Sequence, residues 1–511
     1  MTTFSMKLPS GIRTILLPVF RAALIVAALA TSSRAGAPVP PERWERAFTV
    51  PDTTPGATTL GMNDVRVLPD GRYQVLLCET TWLYPSPSFL ITEYEVLLDL
   101  DGSVASVVGL DTNGSCVSAV PVTSGGVLAI SYSRAIRIDE HGSPIWSAPL
   151  PSFPTNESTV YLTSLETSDG GFIVDWTIEN EEVGLEGMFT TRLGPTGSVL
   201  WSRDEGPDSG LRGVYADGLY AASGDDFFVV GDAGTGYALA RFGGDGRHQW
   251  TRPLGDPGFY LRQLSAVPDG GFLMIGSIPG ATPTVLGLGV TRIDAAGDVQ
   301  WRVRYATSQD VGVGTAVRTE NGWLFPLNTG GPNPQLYALR IADDGTASAG
   351  GPYFSGGIDA AVVLAPQGRS FLAGVTYDTR HDLFVVLLDS DLRARVTRKL
   401  PLSTELDYPS FEPTKDGGFL VSGIVPTDEY DTGIAAARVG AAGKLLWSRL
   451  YGSFSETDLP QVRSTADGGF LLGANVADRT SSPVTVPYPL LIKMDANGVT
   501  GPLIGSPPFS P

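Results

Sequence analysis

Basic residues are scarce in this chain, with 35 Lys and Arg against 54 Asp and Glu and a formal charge of −19 at pH 7. A protein that grips phosphates needs a basic face, so nucleic acid is not an expected partner. Histidine is scarcer still: His141, His248 and His381 are the whole set, and no two fall at metal-ligand spacing on one element. His141 and His248 lie in or beside Asp-x-x-Gly turns and read as exposed turn residues. Two cysteines, Cys78 and Cys116, exclude a disulfide-dense scaffold. In an oxidising compartment they are one candidate bridge; the alternative is two buried thiols, Cys78 packing as a small hydrophobe in the run Gln74-Val-Leu-Leu-Cys78.

Long apolar runs are missing as well. The candidate span, Ala22–Ala30 (AALIVAALA), is far short of the roughly 20 residues that cross a bilayer. It follows Lys7, Arg13 and Arg21 and precedes Ser33-Arg34-Ala35-Gly36-Ala37, the order of a secretory signal peptide with cleavage expected after Ala35. Residues 1–35 are therefore expected to be a leader and 36–511 the mature protein. Four cations leave with the leader and no acid does, so the mature charge is −19 − 4 = −23. The expected location is secreted, periplasmic or at the cell surface, as a monomer without stable membrane insertion.

Catalytic signatures are also lacking. There is no Gly-x-Ser-x-Gly elbow, no His-Glu-x-x-His helix, and no phosphate loop ending in Lys and Ser/Thr. No catalytic, cofactor-binding or metal residue is assigned.

What the chain has is repetition. One phrase recurs at Asp169-Gly-Gly-Phe172, Asp269-Gly-Gly-Phe272, Asp416-Gly-Gly-Phe419 and Asp467-Gly-Gly-Phe470, each followed by an apolar run. Weaker copies end at Tyr73, Val127, Phe228, Trp323 and Phe371, so nine anchors are spaced by 54, 45, 56, 44, 51, 48, 48 and 51 residues. A second phrase, Asp-x-x-Gly-x-x-x-Trp, alternates with it: Asp139 to Trp146 and Asp294 to Trp301 are complete. Gly197 with Trp201, Gly246 with Trp250 and Gly443 with Trp447 keep the Gly-to-Trp spacing, and degenerate copies centre on Gly102, Gly345, Leu392 and Gly498.

Asp-Gly and Gly-Gly supply the positive φ of tight hairpins, and Val, Ile, Leu, Phe and Thr crowd the flanks. Each period then reads as four short strands, which is a propeller blade. The expected fold is all-β, a single propeller of eight or nine four-stranded blades, eight being allowed because the leading and the sixth-to-seventh copies are degenerate. Trp44-Glu-Arg46 matches Trp201-Ser-Arg203 and Trp447-Ser-Arg449, while Pro502 stands where the last Trp is due. The N-terminal strand around Trp44 is thus expected to complete the final blade beside 488–495 and remove two open edges. The stretches 180–188 and 329–335 read as surface loops.

These residues resemble secreted bacterial propellers built of DGG[FY]-type repeats. More distantly, Gly443-Lys-Leu-Leu-Trp447 is similar to the Gly-x-x-x-Trp element of quinoprotein-like propellers, in which it docks neighbouring blades. The resemblance implies an architecture over residues 44–500; the Asp-to-Gly spacing of three residues here is one shorter than in the quinoprotein pattern, and no cofactor is expected.

The repeated acids Asp139, Asp169, Asp269, Asp294, Asp416, Asp467 and Asp495 read as turn residues bonded to their own backbone. Asp99-Leu-Asp101-Gly102 and Asp343-Asp344-Gly345 are fragments of calcium loops, and calcium is the one cation kept open. The Gly-plus-four tryptophans read as blade packing; Trp82 and Trp176, outside that register, are the better ligand contacts. Asn156-Glu157-Ser158 matches a glycosylation acceptor. The expected function is an exported, non-catalytic scaffold that binds a protein or glycan through loops or the central channel. The alternatives are an enzyme with its site on the channel axis, quinoprotein-like or carbohydrate-acting, and a structural envelope or matrix component.

Overall fold

A computed structural model describes residues 43–504 except 49–57, 69, 84–87, 112–117, 131–133, 142, 151–159, 181–183, 205–208, 212, 223–224, 234–235, 255–258, 268–270, 280–285, 306–310, 321, 331–333, 357, 365–369, 377–381, 401–405, 428–430, 478–486 and 502. The leader, Cys116, His381 and the Asn156 acceptor lie outside the described residues.

Nine antiparallel sheets follow one another along the chain. Blade 1 is Thr58–Val67, Tyr73–Leu83, Ser88–Leu98 and Val104–Asp111; blade 2 is Ser118–Pro121, Val127–Ile130, Arg134–Ile138 and Pro144–Pro149. Blade 3 is Val160–Glu166, Phe172–Asn180, Gly184–Leu193 and Val199–Asp204; blade 4 is Gly213–Ala221, Phe227–Asp232, Tyr237–Phe242 and His248–Pro253. Blade 5 is Tyr260–Ala266, Phe272–Pro279, Leu286–Ile293 and Val299–Tyr305. Blade 6 opens with a broken strand, Val311–Val313 and Val317–Thr319, before Gly322–Thr329, Gln335–Ile341 and Ala347–Ser355. Blade 7 is Ile358–Leu364, Ser370–Thr376, Leu383–Leu388 and Ala394–Leu400; blade 8 is Asp407–Pro413, Phe419–Pro426, Thr432–Val439 and Leu445–Phe454. Blade 9 takes Glu456–Ser464, Phe470–Ala477 and Tyr488–Met494 from the end of the chain and Trp44–Ala47 from its beginning. The fold is a nine-bladed β-propeller, so eight is excluded.

The apolar core lies between blades. Phe371, Val375 and Val385 of blade 7 pack with Phe419, Val421 and Val439 of blade 8, for example. Each sheet is buried on both faces, which is why its second and third strands read as unbroken apolar runs.

The outermost strands join neighbours through one repeated contact. Trp146 of blade 2 lies on Gly197 of blade 3, where an added β-carbon would sit 2.6 Å from the indole, and its Nε1 donates to Pro195 O at 2.9 Å. Trp201 repeats this on Gly246 and donates to Gly244 O (3.1 Å), Trp301 on Gly345 and to Asp343 O (2.8 Å), and Trp447 on Gly498 and to Ala496 O (3.0 Å). Each acceptor is two residues before the glycine. That glycine needs both its positive φ and its missing side chain.

The closing strand obeys the same rule. Trp44 pairs with Lys493, as Trp146 pairs with Arg137, Trp201 with Arg192 and Trp447 with Arg438. A fifth strand, Leu503–Ile504, then adds in parallel outside it.

Departures from the expected register have local causes. Trp44 to Phe48 apart, the anchors are the residues opposite the end of the third strand: in blade 4 Phe227, opposite Phe242, takes the place expected for Phe228, and in blade 7 Ser370, opposite Leu388, takes that of Phe371. Asn180 and Gly184 are paired strand residues, so 180–188 is mostly ladder and not a loop. Of the loop expected at 329–335, Thr329 is the last residue of one strand and Gln335 the first of the next. The seam between blades 6 and 7 looked degenerate because its partners are exchanged. Leu392 adopts φ +60° where other blades have glycine, Gly350 leaves room for it, and the Tyr353 hydroxyl donates to Leu392 O in place of an indole.

Candidate functional site

In a four-stranded meander the first-to-second and third-to-fourth turns lie at the same end of the blade. The Asp-Gly-Gly and Asp-x-x-Gly turns therefore make one face of the ring, and the second-to-third and blade-to-blade connections make the other. On the turn face the described repeated acids are consumed by structure, Asp269 lying outside the described residues. Asp139 Oδ1 accepts from the His141 and Ser143 amides, Asp294 Oδ1 from Ala296 and Asp298, and Asp495 Oδ1 from Asn497 and Val499. Asp169, Asp416 and Asp467 each receive a cation from the third strand: Arg192 at 2.6 Å, Arg438 at 2.8 Å and Lys493 at 2.8 Å. Hydrogen bonds from Thr167, Arg192 and the Gly171 amide hold the Asp169 carboxyl down to about 2.

That third-strand cation went unnoticed in the sequence although it has a signal, an Arg or Lys two residues before the turn: Arg137-Ile-Asp, Arg192-Leu-Gly, Arg292-Ile-Asp, Arg438-Val-Gly and Lys493-Met-Asp. Arg137, Arg192 and Arg292 are buried and each donates to the carbonyl of the following residue.

The remaining sequence candidates scatter. Asp101 bonds the Ser103 amide and hydroxyl, Asp344 the Thr346 amide, and Asp343 is paired with Arg318. Among the described residues no group of three or more His, Cys, Asp or Glu is placed to hold a metal ion. An open depression of about 350 Å³ lies on the turn face between Asp70, Arg72, Asp99, Leu100 and Asp101; Arg72 fills part of the charge balance by pairing with Asp70 at 2.6 Å. His141 is exposed, as expected, whereas His248 is a half-buried strand residue whose Nε2 lies 2.7 Å from the Thr251 hydroxyl. Cys78 is buried. Trp82 and Trp176 are paired strand residues whose side chains lie outside the described residues.

The innermost strands make a different surface. First strands of neighbouring blades touch one another, so they form the wall of the central channel. Six of them carry a register shift against their second strand: between Met62 and Asp64, Val214 and Leu219, Leu261 and Gln263, Ile358 and Ala361, Asp407 and Ser410, and Asp458 and Gln461. A bulge re-aims the extra residue away from the ladder. The residues delivered this way include exposed Asn63 and Arg262 and, most fully, Tyr408, which is 66% exposed at φ +48°. Tyr260, at the start of its innermost strand, is 60% exposed. Tyr260 and Asp407–Tyr408 open their strands, which puts them on the side of the loop face.

Where blade 9 meets blade 1 the wall is ionic. Arg66 pairs with Asp64 at 2.6 Å, Arg463 reaches Asp64 from blade 9 at 3.5 Å, and Gln461 donates to Asn63 O at 3.1 Å. Elsewhere carboxylates and amides tie one inner strand to the next, Glu412 accepting from the Ser464 amide and Gln263 bonding Ala316 in both directions. Sequence reasoning missed the channel surface because a bulge has no local signature.

No family model matches the chain, and no curated protein matches it. Solved structures similar to it include a eukaryotic initiation factor, 10% identical with a TM-score of 0.48 over 78% of this chain and 96% of that one. The WD40 domain of SCAP from fission yeast is also similar, 10% identical with a TM-score of 0.39 over 87% and 97%. So is the V. cholerae biofilm matrix protein Bap1, 13% identical with a TM-score of 0.32 over 91% of each chain. The class of the protein, a nine-bladed β-propeller, rests on its strand topology. Among the described residues no helix is long and apolar enough to cross a membrane.

Proposed function

We propose that this chain is an exported, non-catalytic scaffold that binds a protein or glycan at the loop-face mouth of its central channel. The observation that carries the reading is Tyr408, an exposed ring on a bulged inner strand with left-handed backbone. A non-glycine residue held at positive φ is costly, and such residues cluster at functional sites. An exposed tyrosine offers a stacking face and a hydrogen bond, and the same channel wall presents Arg262 and Asn63 from other blades; stacking with hydrogen bonding is the chemistry that sugars and protein hot spots share. The non-catalytic part is supported by the wall's carboxylate Asp64, which is taken up by Arg66 and Arg463. Export is supported by the leader-like segment 1–35. The test is a glycan array, with protein candidates screened by cross-linking, using the mature chain and its Tyr408→Ala and Arg262→Ala variants. The reading requires at least a tenfold loss of binding with an unchanged melting point; a partner retained equally by both variants overturns the assignment to the channel mouth.

A second reading, a structural envelope component, is favoured by the outer rim, where Ile145, Leu200, Leu446 and Leu450 are each more than half exposed. Concentration-dependent assembly abolished by Leu446→Ser/Leu450→Ser supports it, and a monomer at all concentrations removes it.

A further inference from the structure

We propose that Glu95 and Gln74 form a proton-operated latch within blade 1, on the face it turns to blade 2, closed as an acid–amide pair when Glu95 is protonated and weakened when it ionises. The two side chains stand on neighbouring strands of blade 1 and are 1% and 2% exposed. Gln74 Nε2 donates to Glu95 Oε1 at 2.6 Å, while Gln74 Oε1 and Glu95 Oε2 are both buried without a hydrogen-bond partner. Two acceptor oxygens cannot satisfy each other. One proton on Oε2 supplies the missing donor and closes an eight-membered ring of two hydrogen bonds, so a single protonation answers both orphan atoms.

The surroundings point the same way. Burial, the largest influence, raises the Glu95 carboxyl to about 7; the Gln74 hydrogen bond opposes that rise, Asp139 in the facing turn of blade 2 adds to it, and Arg66 opposes it. Arg66 is itself paired with Asp64. Two residues further along the ladder Cys78 is paired with Glu93. The strands of blade 2 that pack here bring apolar residues, Val127, Ala129, Ile136 and Ile138, against Leu76.

The location makes the latch consequential. This seam lacks the indole that joins other blades: Ser106 stands four residues after Gly102 where others have Trp, and its Oγ is buried and unpartnered. Its apolar cluster is also the smallest of the nine among the described residues. The joint with the least packing therefore carries the titratable pair, one blade away from the ring closure.

The direction follows from linkage. The folded chain holds this proton to higher pH than the unfolded one, whose carboxyl titrates near 4.5, so stability falls as pH rises from about 4.5 to about 7 and is level above. Glu95→Gln keeps a donor at every pH, since its amide can meet Gln74 as the protonated acid does. The melting point of the parent is expected to drop relative to Glu95→Gln between pH 5 and pH 8, with the variant the more stable at pH 8. Parallel curves, or a variant less stable than the parent at pH 8, overturn the latch. Hydrogen exchange of the unaltered protein, corrected for the intrinsic pH dependence, is the second measurement. Protection of Ser88–Leu98 and Arg134–Ile138 should fall between pH 5 and pH 7 while that of Phe419–Pro426 does not; a uniform change, or none, counts against the proposal.

Discussion

Trp44 of the closing strand lies on Gly102 of blade 1, its ring 2.6 Å from where a β-carbon would be, and its Nε1 donates to Leu100 O at 3.0 Å. The ring of blades is thus shut by the contact that joins blades 2 to 3, 3 to 4, 5 to 6 and 8 to 9. Trp44 is fully buried, so Trp44→Ala removes a large side chain from a packed site and should cost about 3–5 kcal/mol. The expected result is a melting point lowered by several degrees, with removal of residues 36–50 at least as damaging. A variant that melts with the parent shows that the N-terminal strand is dispensable for closure.

Two glycines separate backbone conformation from close approach. Gly170 and Gly197 have φ of +78° and +79°, yet a β-carbon at Gly170 meets nothing within 4 Å whereas one at Gly197 meets the Trp146 ring at 2.6 Å. Gly170→Ala should cost about 1–2 kcal/mol, the left-handed penalty alone. Gly197→Ala should cost clearly more because the indole must move, and Trp146→Ala should relieve part of that excess in a double-mutant cycle. Equal losses at the two positions, measured by denaturant unfolding, show that the seam tolerates displacement of the indole.

The legibility of this molecule follows from where its chemistry is local. Asp467-Gly-Gly-Phe470 is a turn whatever surrounds it, and the Trp44-Glu-Arg46 phrase carries its own pairing rule, so blade period and ring closure could be read in advance. Leu392 was unreadable as a seam residue because its compensation, Gly350 with Tyr353, lies a blade away. The exposed Tyr408 and the buried Glu95 were hidden for opposite reasons. A bulge is decided by how two strands register, and Glu95 sits in a run, Glu93-Tyr-Glu-Val-Leu-Leu98, whose alternation suggests an acid facing water. Only the packing of blade 2 buries it.

Acid should loosen the turns in a defined window. The Asp169 carboxyl is held down to about 2 by Thr167, Arg192 and the Gly171 amide, against an ordinary value of 3.8. The stabilisation it provides is complete above about pH 4 and is lost as pH falls toward 2. Asp169→Asn should lower the melting point at pH 6 and flatten its fall between pH 4 and pH 2. The loss should be small, since the carboxylate is 45% exposed and water screens the pair. A variant with the parent's acid profile assigns the titration to other carboxylates.

Lys493 offers the sharper case, because its ammonium is fully buried and its charge is met by Asp467 at 2.8 Å and the Met494 carbonyl at 3.2 Å. A buried cation is tolerated only while its partners remain; breaking such a pair from one side leaves the desolvation cost uncompensated. Asp467→Asn should therefore destabilise by about 2 kcal/mol or more, which is the scale of a hydrogen bond to a charged group. Lys493→Met replaces the ammonium with an apolar chain of similar length, and the double variant Asp467→Asn/Lys493→Met should recover most of the loss caused by Asp467→Asn alone. Denaturant unfolding of the three variants gives the coupling directly. If the double variant is no more stable than Asp467→Asn, the stranded charge is not the source of the cost, and the asparagine's disruption of the Thr465 and Gly469 contacts is.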